Sequence, residues 1–373
     1  MESRTLVRAA AALAALALCA FAAKAQIYVG QTSGFTGPAA PGIKENTDGA
    51  RLYFDHVNAS GGVDGQRVEL ITMDDRFQPE LSAENARRLV VERGAIALFL
   101  TRGTPHVQAM LPVLAKYRVA LVGPSTGAMI LHRPVNPYVF NVRASYQHEA
   151  DKAVQYLVSV GLSRIGIFET DDSFGTDAVQ GALKGLHDAK LEPAFVQTFD
   201  RDKPDLAAIV ATATRLKPQA VIFIGSSNTV AGGIRAMRGA GSGAQVVTLS
   251  NNASGGFIRS LGASGRGTIV SQVFPFERSI AAPIVKEAME LAREGGRPEL
   301  TPAMLEGFAA AKVLVAGLRQ AGRNPTRESL LAALNGLHHL DIGGMIVSYS
   351  PGDHSGLNFA DLAIVDANGR FVR

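Results

Sequence analysis

Five short turns gather the hydroxyls, amides, carboxylates and glycines of this chain that are best placed for chemistry. They are Thr101-Arg102-Gly103-Thr104-Pro105, Gly123-Pro124-Ser125-Thr126-Gly127, Thr170-Asp171-Asp172-Ser173-Phe174-Gly175, Gly225-Ser226-Ser227-Asn228 and Ser250-Asn251-Asn252-Ala253-Ser254. The first two combine hydroxyls with backbone N–H groups freed by glycine at an expected helix start. That chemistry suits a carboxylate or other anion held without a buried cation. Thr104 and Ser125 or Thr126 would serve equally well as helix N-caps, and composition alone does not separate the two roles. The other three turns offer a carboxylate at Asp172, an aromatic ring at Phe174 and an amide at Asn251. These could meet whatever the first pair holds.

Catalytic patterns are missing. The eight histidines show no H-E-x-x-H spacing, and His338-His339 are adjacent, so they face different sides of any helix. There is no G-x-S-x-G nucleophile elbow. Gly61-Gly62-Val63-Asp64-Gly65 and Gly295-Gly296 lack the Gly-Lys-Ser/Thr of a phosphate loop and read as turns. The pairs Asp74-Asp75 and Asp171-Asp172 lie where carboxylates more often cap the next helix than exchange protons. Arg102 and Arg143 either reach a ligand anion or clasp structural elements together. No enzymatic activity, cofactor or metal is expected.

The elements that position these turns alternate in type. Apolar strands at Ile27–Thr32, Arg67–Asp74 and Ala95–Leu100 are separated by helical stretches at Lys44–Ala59 and Pro79–Arg93. The pattern restarts after Asn141-Val142-Arg143, with strands at Arg164–Glu169, Ala220–Gly225 and Gln245–Leu249 and helices near Gly175–Ala189, Pro204–Leu216 and Asn228–Ala240. Strands apolar on both faces belong in parallel sheets covered by helices on both sides. The expected fold is therefore α/β, with two doubly wound parallel-sheet lobes. In such sheets ligands bind beyond the carboxyl ends of the strands, where the five turns fall. Leu300 to Gly322 reads as one long helix with Met304, Phe308, Ala311, Val315 and Leu318 as its core stripe.

Residues 1–25 read as a cleavable export signal: Arg4 and Arg8, then the apolar run Ala9–Ala23, then Ala23-Lys24-Ala25 before Gln26. The run is shorter than the roughly 20 residues that span a bilayer. Acylation at Cys19 is disfavoured by the bulky Leu18 before it. Cleavage removes the only cysteine, so the remaining chain carries neither disulfide nor thiol chemistry. It also removes Arg4, Arg8 and Lys24 against Glu2, lowering the formal +4 to about +2. So small a charge gives no reason to expect nucleic acid or a membrane surface as partner. The 348 residues left exceed what one core organises, and two domains are expected.

At these turns the chain resembles the type I periplasmic solute-binding proteins, in the branch that binds leucine, isoleucine, valine and related solutes for ABC importers. The matching stretches are Ile27–Gly30 with Ser33–Pro38, Gly49-Ala50 through Asp55 and Gly61–Gly65, Asp74-Asp75, Gly123–Ala128, Asn141–Tyr146, Asp171–Gly175 and Gln272–Phe276. The resemblance covers the whole exported chain. It implies two lobes joined by three crossings, near Arg143, Gln272 and 343–350, giving lobe 1 as 27–143 plus 273–345 and lobe 2 as 144–272 plus 346–373. It also implies a small-molecule ligand (amino acid, amide or organic acid), an inner-membrane ABC permease as partner, a periplasmic location and a monomer. By position, the carboxylate grip carries over to Thr104, Ser125, Thr126 and Gly127, and the aromatic of the second lobe to Phe174. The family's acidic partner for an α-ammonium falls at Asn251, with Asp172 nearby as a substitute. An aromatic position falls at Ser227, and a tyrosine of the first pocket loop at Gly42. These departures leave open a branched-chain amino acid, a carboxylate without the ammonium, or an amide. A sensory receptor of the same fold is the alternative role.

Overall fold

The computed structural model describes residues 26–296 and 299–373; the expected export signal, Cys19 included, lies outside them. The first sheet is built from Gln26–Ser33 (β1), Arg67–Asp74 (β2), Ala97–Phe99 (β3), Ala120–Val122 (β4) and Val139–Phe140 (β5). Its order is β2-β1-β3-β4-β5, with every neighbouring pair parallel. The second sheet begins with Ile165–Thr170 (β6), Phe195–Phe199 (β7), Ala220–Ile224 (β8), Gln245–Thr248 (β9) and Ile269–Gln272 (β10). A hairpin of Leu340–Asp341 (β11) and Ile346–Val347 (β12) follows, before Asp361–Val365 (β13) and Phe371–Val372 (β14) complete that sheet. Its order is β14-β13-β10-β9-β8-β6-β7, parallel except where β13 turns back against β10 and β14 against β13. The α/β expectation holds, and both sheets have helices on both faces.

Each sheet runs nearly unbroken Val, Ile, Leu and Phe through its centre because both faces are covered; β8 is buried along its whole length. The long helix spans Pro302–Ala321 and is wider-faced than its expected stripe. Leu305, Ala309 and Val313 are buried beside Met304, Phe308, Ala311, Val315 and Leu318, because neighbours cover it on several sides. Its closest partner is the helix Ala40–Ala59. A Cβ at Gly49 would lie 1.9 Å from the Met304 carbonyl oxygen, and one at Gly307 would lie 1.8 Å from that of Asn46. Only glycine permits this approach, which brings Asn46 and Glu306 side by side beneath the turns.

The chain passes between lobes three times. After β5, Arg143 leads into the helix Tyr146–Ser159, which packs on the second sheet. After β10, Val273 and Phe274 return to the first core. The last passage lies later than the expected 343–350: Val347, Tyr349 and Leu357 still pack in the first core, and the second sheet is entered only at Asp361. The physical reason is a local clasp on the first passage. Tyr349 Oη donates to the Asn141 carbonyl at 2.7 Å, and Leu357 N donates to the Val142 carbonyl at 3.0 Å. The stretch 346–357, expected in lobe 2, therefore belongs with lobe 1.

Candidate functional site

The strand ends of the two sheets face one another across a cleft, and its walls come from both. Between them lies a cavity of about 40 Å³ bordered by Phe77, Arg102 and Thr104 from the first lobe and by Asp172, Phe174, Arg201, Ser226 and Asn251 from the second. Tyr146, just past the first crossing, also lines it. The space left between the lobes is small, enough for water-sized groups. A larger occupant requires the lobes to part or Arg201 to swing aside.

The lobes touch at several points around this cavity. Arg102 Nη1 donates to the Asn251 carbonyl at 2.7 Å. Glu45 accepts from the N–H groups of Gly255 and Gly256 at 3.0 and 2.8 Å, capping the helix Gly255–Leu261 from across the cleft. Met129 N donates to Asp177 Oδ1 at 2.9 Å, and Ser173 Oγ donates to Gln108 Oε1.

The eight expected site residues divide. Thr104, Asp172, Phe174 and Asn251 line the cavity, whereas Ser125, Thr126, Gly127 and Ser227 do not. Thr104 and Thr126 bond hydroxyl to hydroxyl at 2.7 Å, so Thr126 stands directly behind Thr104. Ser125 Oγ accepts from Asn46 Nδ2 at 2.9 Å. Gly127 carries a tight turn, with its carbonyl accepting from Tyr146 N at 2.8 Å and room for a Cβ blocked by the Ala144 carbonyl at 2.6 Å. Ser227 is turned into the second lobe, donating to Asn252 Oδ1 at 2.8 Å, and Ser226 takes its place on the wall. Asp172 caps its helix, accepting from Phe174 N at 2.9 Å and Gly175 N at 3.0 Å. Burial holds its carboxyl above the usual range, although those N–H groups and Arg201 pull the other way. Phe174 packs on the Tyr146 ring with centroids 4.6 Å apart.

Arg102 and Arg143 take different roles. Arg143 is a clasp: fully buried, bonded to Glu149 and, at 2.7 Å, to Ser250 Oγ, and 3.8 Å from Glu306. Burial alone would loosen its hold on the proton, but Glu149 first, then Tyr146 and Glu306, leave it held more firmly than in water. Arg102 lines the cavity and is anchored to Asn46 Oδ1 at 3.2 Å, with Glu306 at 4.0 Å. A Cβ at Gly42 would come within 3.4 Å of Arg102 Nη1, so this guanidinium occupies the space a side chain at 42 would need.

Two wall residues, Phe77 and Arg201, escaped the sequence reading. Both follow strand ends, Phe77 after β2 and Arg201 after β7. The Arg201 guanidinium lies 4.8 Å from the Phe77 ring centre, while Phe77 packs on His106 with ring centres 4.4 Å apart and planes tilted by 35°. Burial, with Arg201 beside it, lowers the His106 imidazole to about 3, so it is neutral and able to accept from Arg201. Arg76 and Phe77 both have left-handed φ, +53° and +59°. Asp74 and Asp75 hold that kink, accepting from Arg76 N and Phe77 N at 2.9 Å each. Asp75 also accepts from Ser82 Oγ at 2.7 Å and Thr32 Oγ1 at 3.2 Å. Neither carboxylate faces the cavity, in keeping with a structural role.

A family model described as "Periplasmic binding protein" matches residues 26–370. The chain belongs to the periplasmic binding protein family. The Ralstonia solanacearum substrate-binding periplasmic protein is 31% identical and superposes with a TM-score of 0.85, covering 93% of this chain and 99% of that one. A possible leucine/isoleucine/valine-binding protein from Rhodopirellula baltica is 27% identical, with a TM-score of 0.86 over 94% and 97% of the two chains. Leu/Ile/Val-binding protein homolog 3 of Brucella melitensis is 22% identical over 91% of this chain and 92% of its own. This periplasmic binding protein is thus of type I, in a family of substrate-binding proteins and not enzymes. Among its described residues no three His, Cys, Asp or Glu side chains gather as a metal site, and no helix is long and apolar enough to cross a membrane. A groove of about 990 Å³ lies away from the strand ends and is edged by long charged side chains such as Arg259, Lys286, Glu290 and Arg293.

Proposed function

We propose that this protein is the periplasmic substrate-binding component of an ABC importer, capturing a small carboxylate-bearing solute, a branched-chain amino acid or a related compound, between its lobes and presenting it to an inner-membrane permease. One observation carries the reading: the cavity is shared, with Thr104, Arg102 and Phe77 on one wall and Asp172, Phe174, Arg201 and Asn251 on the other. A solute that touches both walls favours the closed form, and closure is what a permease can recognise. Export by residues 1–25 would deliver the chain to its working compartment, as a monomer. Thr104, with Thr126, Ser125 and Gly127 shaping its turn, would meet the carboxylate from the first lobe.

The test is a thermal-shift screen of the exported protein, refolded to remove carried-over solute, against amino acids, amides, and aliphatic and aromatic carboxylates. A bound solute raises the melting temperature by mass action, about 2.7 kcal/mol at a hundred times Kd. Small-angle scattering should show a smaller radius of gyration with that solute, and cells lacking the gene should lose its uptake. Binding and closure with unchanged uptake would favour the sensory receptor instead. No shift with any class would overturn the reading.

A further inference from the structure

We infer that the polar end of this cleft selects a carboxylate that carries a neutral O–H or N–H donor where an amino acid carries its α-ammonium, with Arg201 as the anion's partner and Asn251 Oδ1 as the donor's. The inference rests on the solute-receptor reading and narrows its ligand.

Asn251 carries the donor half of the argument. Its Nδ2 donates to the Gly225 carbonyl at 2.9 Å, which fixes the amide's orientation. Its Oδ1 is consequently turned away, buried and without a hydrogen-bond partner. A buried acceptor left unpaired is costly, and a ligand donor would relieve it. The same oxygen carries only a partial charge. An ammonium buried against it lacks the countercharge that makes its desolvation tolerable, whereas a hydroxyl or amide N–H needs none.

Arg201 carries the anion half. Charged hydrogen bonds of guanidinium to carboxylate run to about 2.7–2.9 Å. Arg201 makes none of that kind: it stands 3.5 Å from Asp172 Oδ2 and 3.5 Å from His106 Nε2. Both contacts are long, so an incoming carboxylate offers its donors a closer partner than either. Asp172 is the one acid on the wall, and it is already committed, with Oδ1 bonded to two helix N–H groups and Oδ2 facing Arg201. An ammonium seeking Asp172 would have to displace a guanidinium. The rings of Phe77, Tyr146 and Phe174 complete an apolar wall for the rest of the solute.

The test is calorimetric titration of the full exported protein with matched series of 2-hydroxy, 2-amino and unsubstituted carboxylates, each with branched, linear and aromatic side chains. Within the side-chain series that fits, the hydroxy acid should bind about tenfold tighter than the amino acid, and tighter than the unsubstituted acid, which leaves Oδ1 unpaired. Asn251→Ala should level the hydroxy and unsubstituted acids, and Asn251→Asp should reverse the order in favour of the amino acid. Amino acids binding as tightly as hydroxy acids, with Asp172→Asn abolishing them, would overturn the inference and leave the receptor standing. Silence from every series would overturn the receptor reading, and this inference with it.

Discussion

Arg143 and Arg201 are both arginines at the boundary between lobes, yet their surroundings differ in a way that assigns them opposite work. Arg143 lies at a crossing, buried among Glu149, Ser250, Glu306 and the Tyr146 ring, whose centre is 4.5 Å from its guanidinium. Glu149 is in turn satisfied by Ser250 N at 2.9 Å and by Ser271 Oγ. Arg201 lies at the cleft with a long contact to one carboxylate, a neutral imidazole and a ring. A guanidinium surrounded by counter-charge holds structure together. One that stands at the cleft with only long contacts to its neighbours is poised for a ligand.

The sharpest way to break the comparison is at the hinge. Arg143→Ala leaves Glu149 and Glu306 buried without their cation and should destabilise the protein by about 3–5 kcal/mol in denaturant unfolding. A loss below about 1 kcal/mol would mean the clasp is dispensable and the contrast false.

Next in size is the support beneath Phe77. Burial pushes the Asp75 carboxyl up to about 6 from an ordinary 3.8, against the pull of Ser82, Phe77 N and Thr32. The folded state therefore binds that proton more tightly than the unfolded chain. The stability it contributes is complete below about pH 4 and lost as pH rises through 6, by about 3 kcal/mol at 1.36 kcal/mol per pH unit. Unfolding measured at pH 4.5 and 7 should show about two-thirds of that loss, about 2 kcal/mol, in the parent and not in Asp75→Asn. Equal slopes would separate Asp75 from the pH dependence.

The third variant turns from stability to binding. Arg201→Gln should weaken the carboxylate ligand about tenfold to a hundredfold, the worth of a charged hydrogen bond, while moving the unfolding midpoint little. The reverse pattern, intact affinity with lost stability, would make Arg201 a second clasp.

How much of this contrast the sequence disclosed depends on which strands announced themselves. β8 is buried throughout and reads at once as a strand, so the turn at its carboxyl end stands out, and Ser226 lies there on the wall. β7 is an edge strand whose exposed and covered residues alternate, and it lacks the apolar run that marks a buried one. Arg201, two residues past its end, is unmarked in the sequence for that reason. Phe77 was hidden differently: Asp74-Asp75 read as helix caps, and nothing in the sequence shows that they pin two consecutive left-handed residues that aim a ring at the cleft. The sequence leaves the roles of Arg102 and Arg143 open because their deciding partners are distant along the chain. Ser250 lies 107 residues along the chain from Arg143, and Glu306 lies on a helix that Gly49 and Gly307 allow to approach its neighbour.

The smallest effect tests whether lobe contacts away from both arginines tune closure. Glu45 sits on the first lobe, and its carboxylate accepts two N–H groups at the start of the second lobe's helix Gly255–Leu261; its ion pair with the exposed Arg259, at 3.7 Å, adds little. A carboxylate at a helix N-terminus contributes about 0.3–1 kcal/mol. Glu45→Gln keeps the shape and removes the charge, so the closed form should lose about that much relative to the open one. Ligand affinity should fall about two- to fivefold, through a lower population of the closed state and not through any change at the cavity. The order of preference among hydroxy, amino and unsubstituted acids should therefore stay as in the parent, whereas Asn251 variants reorder it. A changed preference in Glu45→Gln would mean that lobe closure and ligand discrimination share one network, and that the division drawn between Arg143 and Arg201 is one of degree.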